Sequence, residues 1–263
     1  MRWSIIISTQ IHPTALIAKE ANLGNNVTVG PYSVIEGNVT IGDNSSIGNH
    51  TTVKTGTTIG RNTRIFHNCS IGEIPQDLKF SGEETTATIG NNVTIRESVT
   101  INRGTAAKGS TDIGNDVLLM ACTHVAHDCF LGNNVIMANL TTLGGHVELG
   151  DWVSLGGGVL VHQFSKVGAH VFVGGGFRIV QDVPPFILVA GEPLQYSGIN
   201  KIGLRRRGFD SNARKLIKEA YKLYFRSELN RKDALEKIKT DLDQSHEIKM
   251  IINFVESSNR GII

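Results

Sequence analysis

An aliphatic side chain recurs every six residues over most of this chain, and nothing else in the sequence restricts the fold as much. Stepping by six from Ile11 lands on Ile17, Leu23, Val29, Ile35, Ile41, Ile47, Val53, Ile59, Ile65 and Ile71. The step fails at Asp77 and Glu83, resumes in phase at Ile89, Ile95 and Ile101, and fails again at Ala107. From Ile113 it runs unbroken to Ile179. A second register follows the first. The fourth residue after the aliphatic is small or β-branched, as at Ala15, Val27, Ser33, Thr51, Cys69, Thr123 and Cys129. Glycine often follows the aliphatic directly, as at Gly24, Gly60 and Gly114.

Such a repeat implies a parallel β-helix, in which stacked coils bury a core that no single hexad could bury. Each hexad is a short strand plus a turn. Three hexads close one coil, so residue i lies under residue i+18. The first and fifth positions point inward, one large and one small, and Gly or Asn supplies the unusual backbone angles of the corners.

The two failures, 72–88 and 102–112, are polar stretches that read as loops ejected from the rod, where function concentrates. After Ile179 a Pro-Pro pair ends the repeat. From Ser211 the apolar spacing turns helical, through Ala213, Leu216, Ile217, Ala220, Tyr221 and Tyr224, and later Ile248, Ile251, Ile252 and Val255. Asp210 or Ser211 is the expected N-cap. The expectation is a rod over 1–190 and a domain of two to four short helices over 191–263, packed on the rod's end. Charge divides the same way. Residues 201–263 hold 15 Lys and Arg against 9 Asp and Glu, and the remaining 11 and 15 precede them. The tail is thus about +6 and the rod about −4.

Other classes are disfavoured. A net charge of +2 does not call for nucleic acid. Three cysteines, Cys69, Cys122 and Cys129, suit neither a disulfide framework nor a four-cysteine zinc site. The N-terminal "MRWSIIISTQ" lacks a signal peptide's long apolar core, and no stretch approaches the roughly 20 apolar residues of a membrane span. A cytoplasmic location is expected.

The register also orients the histidines. None of those in the repeat occupies an inward position. His127 is third in its hexad, His124 sixth, His146 fourth and His162 second. The 18-residue coil sets His146 over Asp128 and Gly145 over His127. An outward cluster of His127, Asp128 and His146 is expected, with His124 nearby and open space above the bare Gly145. Such a cluster could be a general base with an oxyanion donor, a zinc site or an ordinary groove.

Longer stretches are more specific. "IGEIPQDLKF" (71–80), "IRESVTINRGT" (95–105), "HVAHDC" (124–129), "VHQF" (161–164), "QDVPP" (181–185) and "GLRRRGF" (203–209) resemble the UDP-N-acetylglucosamine 3-O-acyltransferase family, the first enzymes of lipid A synthesis. The resemblance covers nearly the whole chain. It implies a left-handed β-helix and a homotrimer with active sites between subunits. No cofactor or metal is expected. The implied reaction moves a 3-hydroxyacyl chain from acyl carrier protein to the glucosamine 3-hydroxyl of UDP-N-acetylglucosamine. By the same resemblance His127 is the base, Asp128 holds its tautomer and Gly145 supplies the oxyanion N–H. Gln76, Asp77 and Lys79 would contact the sugar and acyl moiety, and His124, His146, His162 and Gln163 would line the cleft. Asn200, Arg206 and Arg207 would meet the nucleotide from a neighbouring subunit, and Gly175 would set the depth of the acyl groove. Ile202 departs from the acidic residue often found two positions after the residue matching Asn200. Two other readings of this fold are a zinc carbonic anhydrase and a non-catalytic trimer that binds UDP-sugars.

Overall fold

A computed structural model describes residues 9–263. The short apolar run of the N-terminus, residues 5–7, lies outside them. Two-residue strands such as Leu16–Ile17 and Asn22–Leu23 succeed one another around a three-sided prism. They form three sheets, here A, B and C, of eleven, nine and eight strands, parallel except for the last pairing of sheet A. Sheet A begins at Gln10–Ile11, sheet B at Leu16–Ile17 and sheet C at Asn22–Leu23. The whole is a left-handed parallel β-helix with a small helical region at its C-terminal end.

The coil step is 18 residues, as between Ile47 and Ile65. Across the first loop it lengthens to 30, as between Ile71 and Ile101, and across the second to 24, as between Ile101 and Val125. The excesses, 12 and 6, are whole hexads. That is why the aliphatic phase survives both interruptions.

First-position aliphatics and fifth-position fillers are buried together: Ile95, Val99, Ile101, Val125 and Cys129 are fully enclosed. Truncating one, such as Ile95→Ala, should cost about 2–5 kcal/mol, because a stacked prism cannot collapse around the cavity. Inward hydroxyls find backbone partners, as when Ser33 Oγ donates to Gly48 O at 2.6 Å.

The corner chemistry differs in one respect from expectation. The left-handed residues stand fourth in the hexad, with Asn62 at φ 56° and also His146 and Asp128 at 61°. Glycine after the aliphatic instead permits coils to approach: a Cβ on Gly60 would lie 2.5 Å from Gly90 O.

The last coil gives way to strand Ile187–Ala190, which pairs antiparallel with Gln195–Ile199. Four helices follow: α1 (Lys201–Arg206), α2 (Ser211–Arg226), α3 (Arg231–Asp241) and α4 (His246–Glu256). Asp210 caps α2, its carboxylate accepting the Ala213 N–H at 2.7 Å. Ile217, Ala220, Tyr221 and Tyr224 are the buried stripe of α2, and Tyr221 donates to Pro185 O at the rod's end. Helix α1 was not legible in the periodicity, because Leu204 is its only buried residue.

Candidate active site

Both loops leave the rod where the chain turns from sheet B to sheet C. Strand Ser70–Glu73 precedes the first and Thr100–Asn102 the second. The next strands of sheet B, His124–Val125, Thr142–Leu143 and Leu160–Val161, run into the same corner. One edge of the prism therefore collects Gln76, Asp77 and Lys79, then His127 with Asp128, then Gly145 with His146, then His162 with Gln163. His124 stands beside them on sheet B, its Nδ1 2.7 Å from Thr100 Oγ1.

Asp128 does not face solvent as the register alone predicts. It is 1 % exposed, because the second loop folds back over it. The Thr105 N–H donates to Asp128 Oδ1 at 2.9 Å, and the Thr105 hydroxyl donates to Oδ2 at 2.7 Å. The Asp128 N–H donates to Thr111 Oγ1 at 2.8 Å. His127 Nδ1 lies 2.7 Å from Oδ2. Burial pushes this carboxyl up, but the hydrogen bonds from His127 and Thr105 outweigh it and hold Asp128 below the usual value. An ionised carboxylate only accepts, so Nδ1 carries the proton and Nε2 is left free as a base.

Nor is the space above Gly145 open. The His127 imidazole fills it: a Cβ on Gly145 would lie 2.6 Å from Cε1 and 2.7 Å from Nε2. Glycine is what lets the ring lie against the backbone. The Gly145 N–H donates to no acceptor among the described residues, whereas at the next corner the Asn115 N–H is taken by Asn133 Oδ1 at 2.9 Å. His146 packs edge-on to His127 at 5.2 Å and stacks on Phe164 at 4.4 Å. Burial lowers the pKa of both His124 and His146, at His146 against an upward pull from the Asp128 carboxylate. Ligand atoms of His127, Asp128 and His146 lie within 4.8 Å of one another, close enough to hold a metal ion. The carboxylate is nevertheless satisfied without one, by Thr105 and His127.

The remaining expected residues lie elsewhere on the chain. Asn200, Arg206 and Arg207 border a cavity of about 1380 Å³ between sheet A and α1. Ile136, Trp152, His170, Phe172 and Ile202 also line it. Arg207 lies over the Trp152 ring at 4.9 Å. Asn200 is 7 % exposed, and both ends of its amide are engaged. Its oxygen accepts the Gly203 N–H at 3.1 Å and its nitrogen donates to His170 O at 2.9 Å. It caps α1. Gly175 sits at the corner from sheet A to sheet B, exposed, with its Cβ position 3.1 Å from Gly157 O. His127 is not among the residues that line this cavity.

Family models match at both ends of this architecture. One for bacterial transferase hexapeptide repeats matches residues 20–55, and one for the second domain of UDP-N-acetylglucosamine O-acyltransferase matches 182–263. An acyl-[acyl-carrier-protein]--UDP-N-acetylglucosamine O-acyltransferase of Thiobacillus denitrificans is 45 % identical over 96 % of this chain and 98 % of its own. The chain belongs to the UDP-N-acetylglucosamine O-acyltransferase family. A solved member from Bacteroides fragilis superposes with a TM-score of 0.94 at 48 % identity, covering 96 % of this chain and 99 % of its own. One from Francisella novicida gives 0.94 at 37 %, covering 97 % and 94 %.

Within this O-acyltransferase rod, some site residues escaped the sequence reading. Trp152 and His170 are fourth-position residues one coil apart, with rings stacked at 6.4 Å, and the 18-residue step could have paired them. Thr105 had no such signal, because the ejected loop has no period. No described helix is long and apolar enough to cross a membrane.

Proposed function

We propose that this chain transfers a 3-hydroxyacyl group from acyl carrier protein to the glucosamine 3-hydroxyl of UDP-N-acetylglucosamine, the opening step of lipid A synthesis. The observation that carries the reading is the Asp128–His127 pair laid against Gly145, in a chain whose relatives are named for that acyl donor and acceptor. The sugar 3-hydroxyl oxygen attacks the thioester carbonyl carbon while its proton passes to His127 Nε2. The developing oxyanion meets the free Gly145 N–H. Collapse breaks the carbon–sulfur bond, and the departing thiolate takes the proton from His127. An ester and a free thiol result, with no acyl-enzyme. The buried Cys69 and Cys129 thiols, pushed up by burial to about 11 and about 12, fit that route.

Gln76, Asp77, Lys79, His124, His146, His162 and Gln163 surround the reacting groups, and Arg206 and Arg207 serve the nucleotide phosphates. The histidines and the arginine cavity lie at different corners of the rod, which fits a homotrimer whose cleft joins one subunit's corner to its neighbour's cavity. The basic tail attracts acidic acyl carrier protein, and the reaction takes place in the cytoplasm.

Acyl transfer from a series of 3-hydroxyacyl carrier proteins to UDP-N-acetylglucosamine tests the reading. His127→Ala should lower kcat/KM by about 10²–10⁴. Undiminished transfer would refute the base assignment. Mixing His127→Ala and Arg206→Ala subunits should restore part of the activity that each lacks alone.

A further inference from the structure

We propose that Thr105, on the second ejected loop, is a positioning residue that sets the charge and orientation of Asp128 and acts through it on His127. This rests on the acyl-transfer reading above only for its kinetic readout.

Among the described residues, Thr105 alone donates to both oxygens of the Asp128 carboxylate, through its N–H at 2.9 Å and its hydroxyl at 2.7 Å. The hydroxyl's direction is fixed from behind: it accepts the Ala107 N–H at 3.2 Å, which leaves its proton for the carboxylate. Thr105 O accepts the Gly109 N–H at 2.7 Å, so the loop is a closed turn. The turn is tied in turn to the rod, where the Gly104 N–H donates to Thr86 O at 3.1 Å. Thr105 is itself 8 % exposed, and its hydroxyl meets the same Oδ2 that faces His127 Nδ1.

That shared oxygen is the physical basis of the inference. A hydrogen bond from Thr105 takes up part of the carboxylate's charge. Without it the carboxylate would hold the imidazolium proton more tightly, and His127 would be a stickier base. The rotation of Asp128 about its own side chain would also be less restricted, and with it the ring plane of His127. Other charged or titratable groups that face this pair are His146, His124, Lys108, Asp112 and Asp77. Lys108 lies 3.4 Å from the Asp128 carbonyl and 4.0 Å from Asp112. None of them donates to both carboxylate oxygens.

The test compares Thr105→Val, Thr105→Ala and Thr105→Ser with the parent protein, each first checked for thermal stability and UDP-sugar affinity. In the Val and Ala variants kcat/KM should fall about tenfold, the rate equivalent of one hydrogen bond to a charged group. The acid limb of its pH profile should move to higher pH. Thr105→Ser should restore both. The imidazole titration of His127, followed by NMR without any substrate, should rise in the same variants. That measurement stands even if the substrates are other than proposed. Unmoved titration and pH profile in a folded Val or Ala variant would overturn the inference. So would a Ser variant as impaired as Val. If Val fails to fold, Ala and Ser alone decide, by the same criteria.

Discussion

The corner between sheets B and C packs two histidines against a buried carboxylate, whereas the corner between C and A borders a cavity lined by cations and aromatic rings. At the first, His127, Asp128 and His146 pack into contact beneath the second loop. At the second, a cavity of about 1380 Å³ opens between Trp152, His170 and the arginines of α1. The same hexad builds both. What differs is the residue at the left-handed fourth position and what covers it. Covering Asp128 with a loop buries a carboxylate against His127, while Trp152 and His170 border the open cavity. On the proposed reading, chemistry lies on one edge and nucleotide binding on the other, and a second copy joins them. Breaking each corner separately should therefore give separable defects.

The largest effect is expected at the crowded corner. Gly145→Ala sets a Cβ 2.6 Å from the His127 ring, which must swing away. The backbone there is ordinary, so the change is local. A displacement near 1 Å costs about 10²-fold in rate. kcat/KM should fall by about that much while UDP-sugar affinity at the cavity stays within about twofold. A variant with full activity would show that the ring does not need its place against the backbone.

How much of this contrast was readable beforehand differs by corner for a physical reason. The period of six placed His127, Gly145 and His146 on one edge, because register alone sets which way a strand residue points. It misjudged Asp128, since burial came from a loop outside the period, and it could not see that His127 would fill the space over Gly145. Asn200 borders the cavity, where resemblance linked it to a nucleotide. Its cap on Gly203 N–H is a local pattern, but its bond to His170 O crosses the rod–tail seam, which no local pattern encodes.

At the roomy corner the expected loss is in binding. Arg207→Ala removes a guanidinium stacked over Trp152 at 4.9 Å. UDP-sugar Kd should rise about tenfold, a loss of roughly 1–2 kcal/mol, with kcat little changed. Calorimetric titration checks the first part and saturating kinetics the second. An equal fall in kcat would mean that the two corners are not functionally distinct.

Gly175 belongs to neither corner, which makes it a probe of how far the acyl groove extends. Its Cβ position is 3.1 Å from Gly157 O, so a side chain there fits after a small shift and projects outward. Gly175→Met should lower transfer of long 3-hydroxyacyl chains, about fourteen carbons, by about tenfold relative to shorter ones, the scale at which pocket volume discriminates methylenes. An unchanged ranking across the donor series would remove Gly175 from the groove.

The smallest effect concerns what holds the roomy corner together. His170 is half-buried, stacked on Phe186 and edge-on to Phe209, with Arg207 at 3.4 Å from its Nδ1. Burial, and then the charge of Arg207, push its pKa down to about 4, against a weaker opposite pull from Asp151. The unfolded chain therefore binds this proton more readily than the folded one. Stability is unaffected above about pH 6.5, the unfolded value, and falls as pH drops from there toward 4. His170→Phe should flatten that fall, because phenylalanine already occupies the same left-handed position at Phe164 and Phe186, with φ of 65° and 69°. Solvent screening of a half-buried ring limits the difference to about 1 kcal/mol, or about 2–4 °C in Tm near pH 4.5. Thermal melts at pH 7.5 and 4.5 measure it. If both proteins lose stability in parallel, the acid sensitivity of the rod–tail seam lies in a group other than His170.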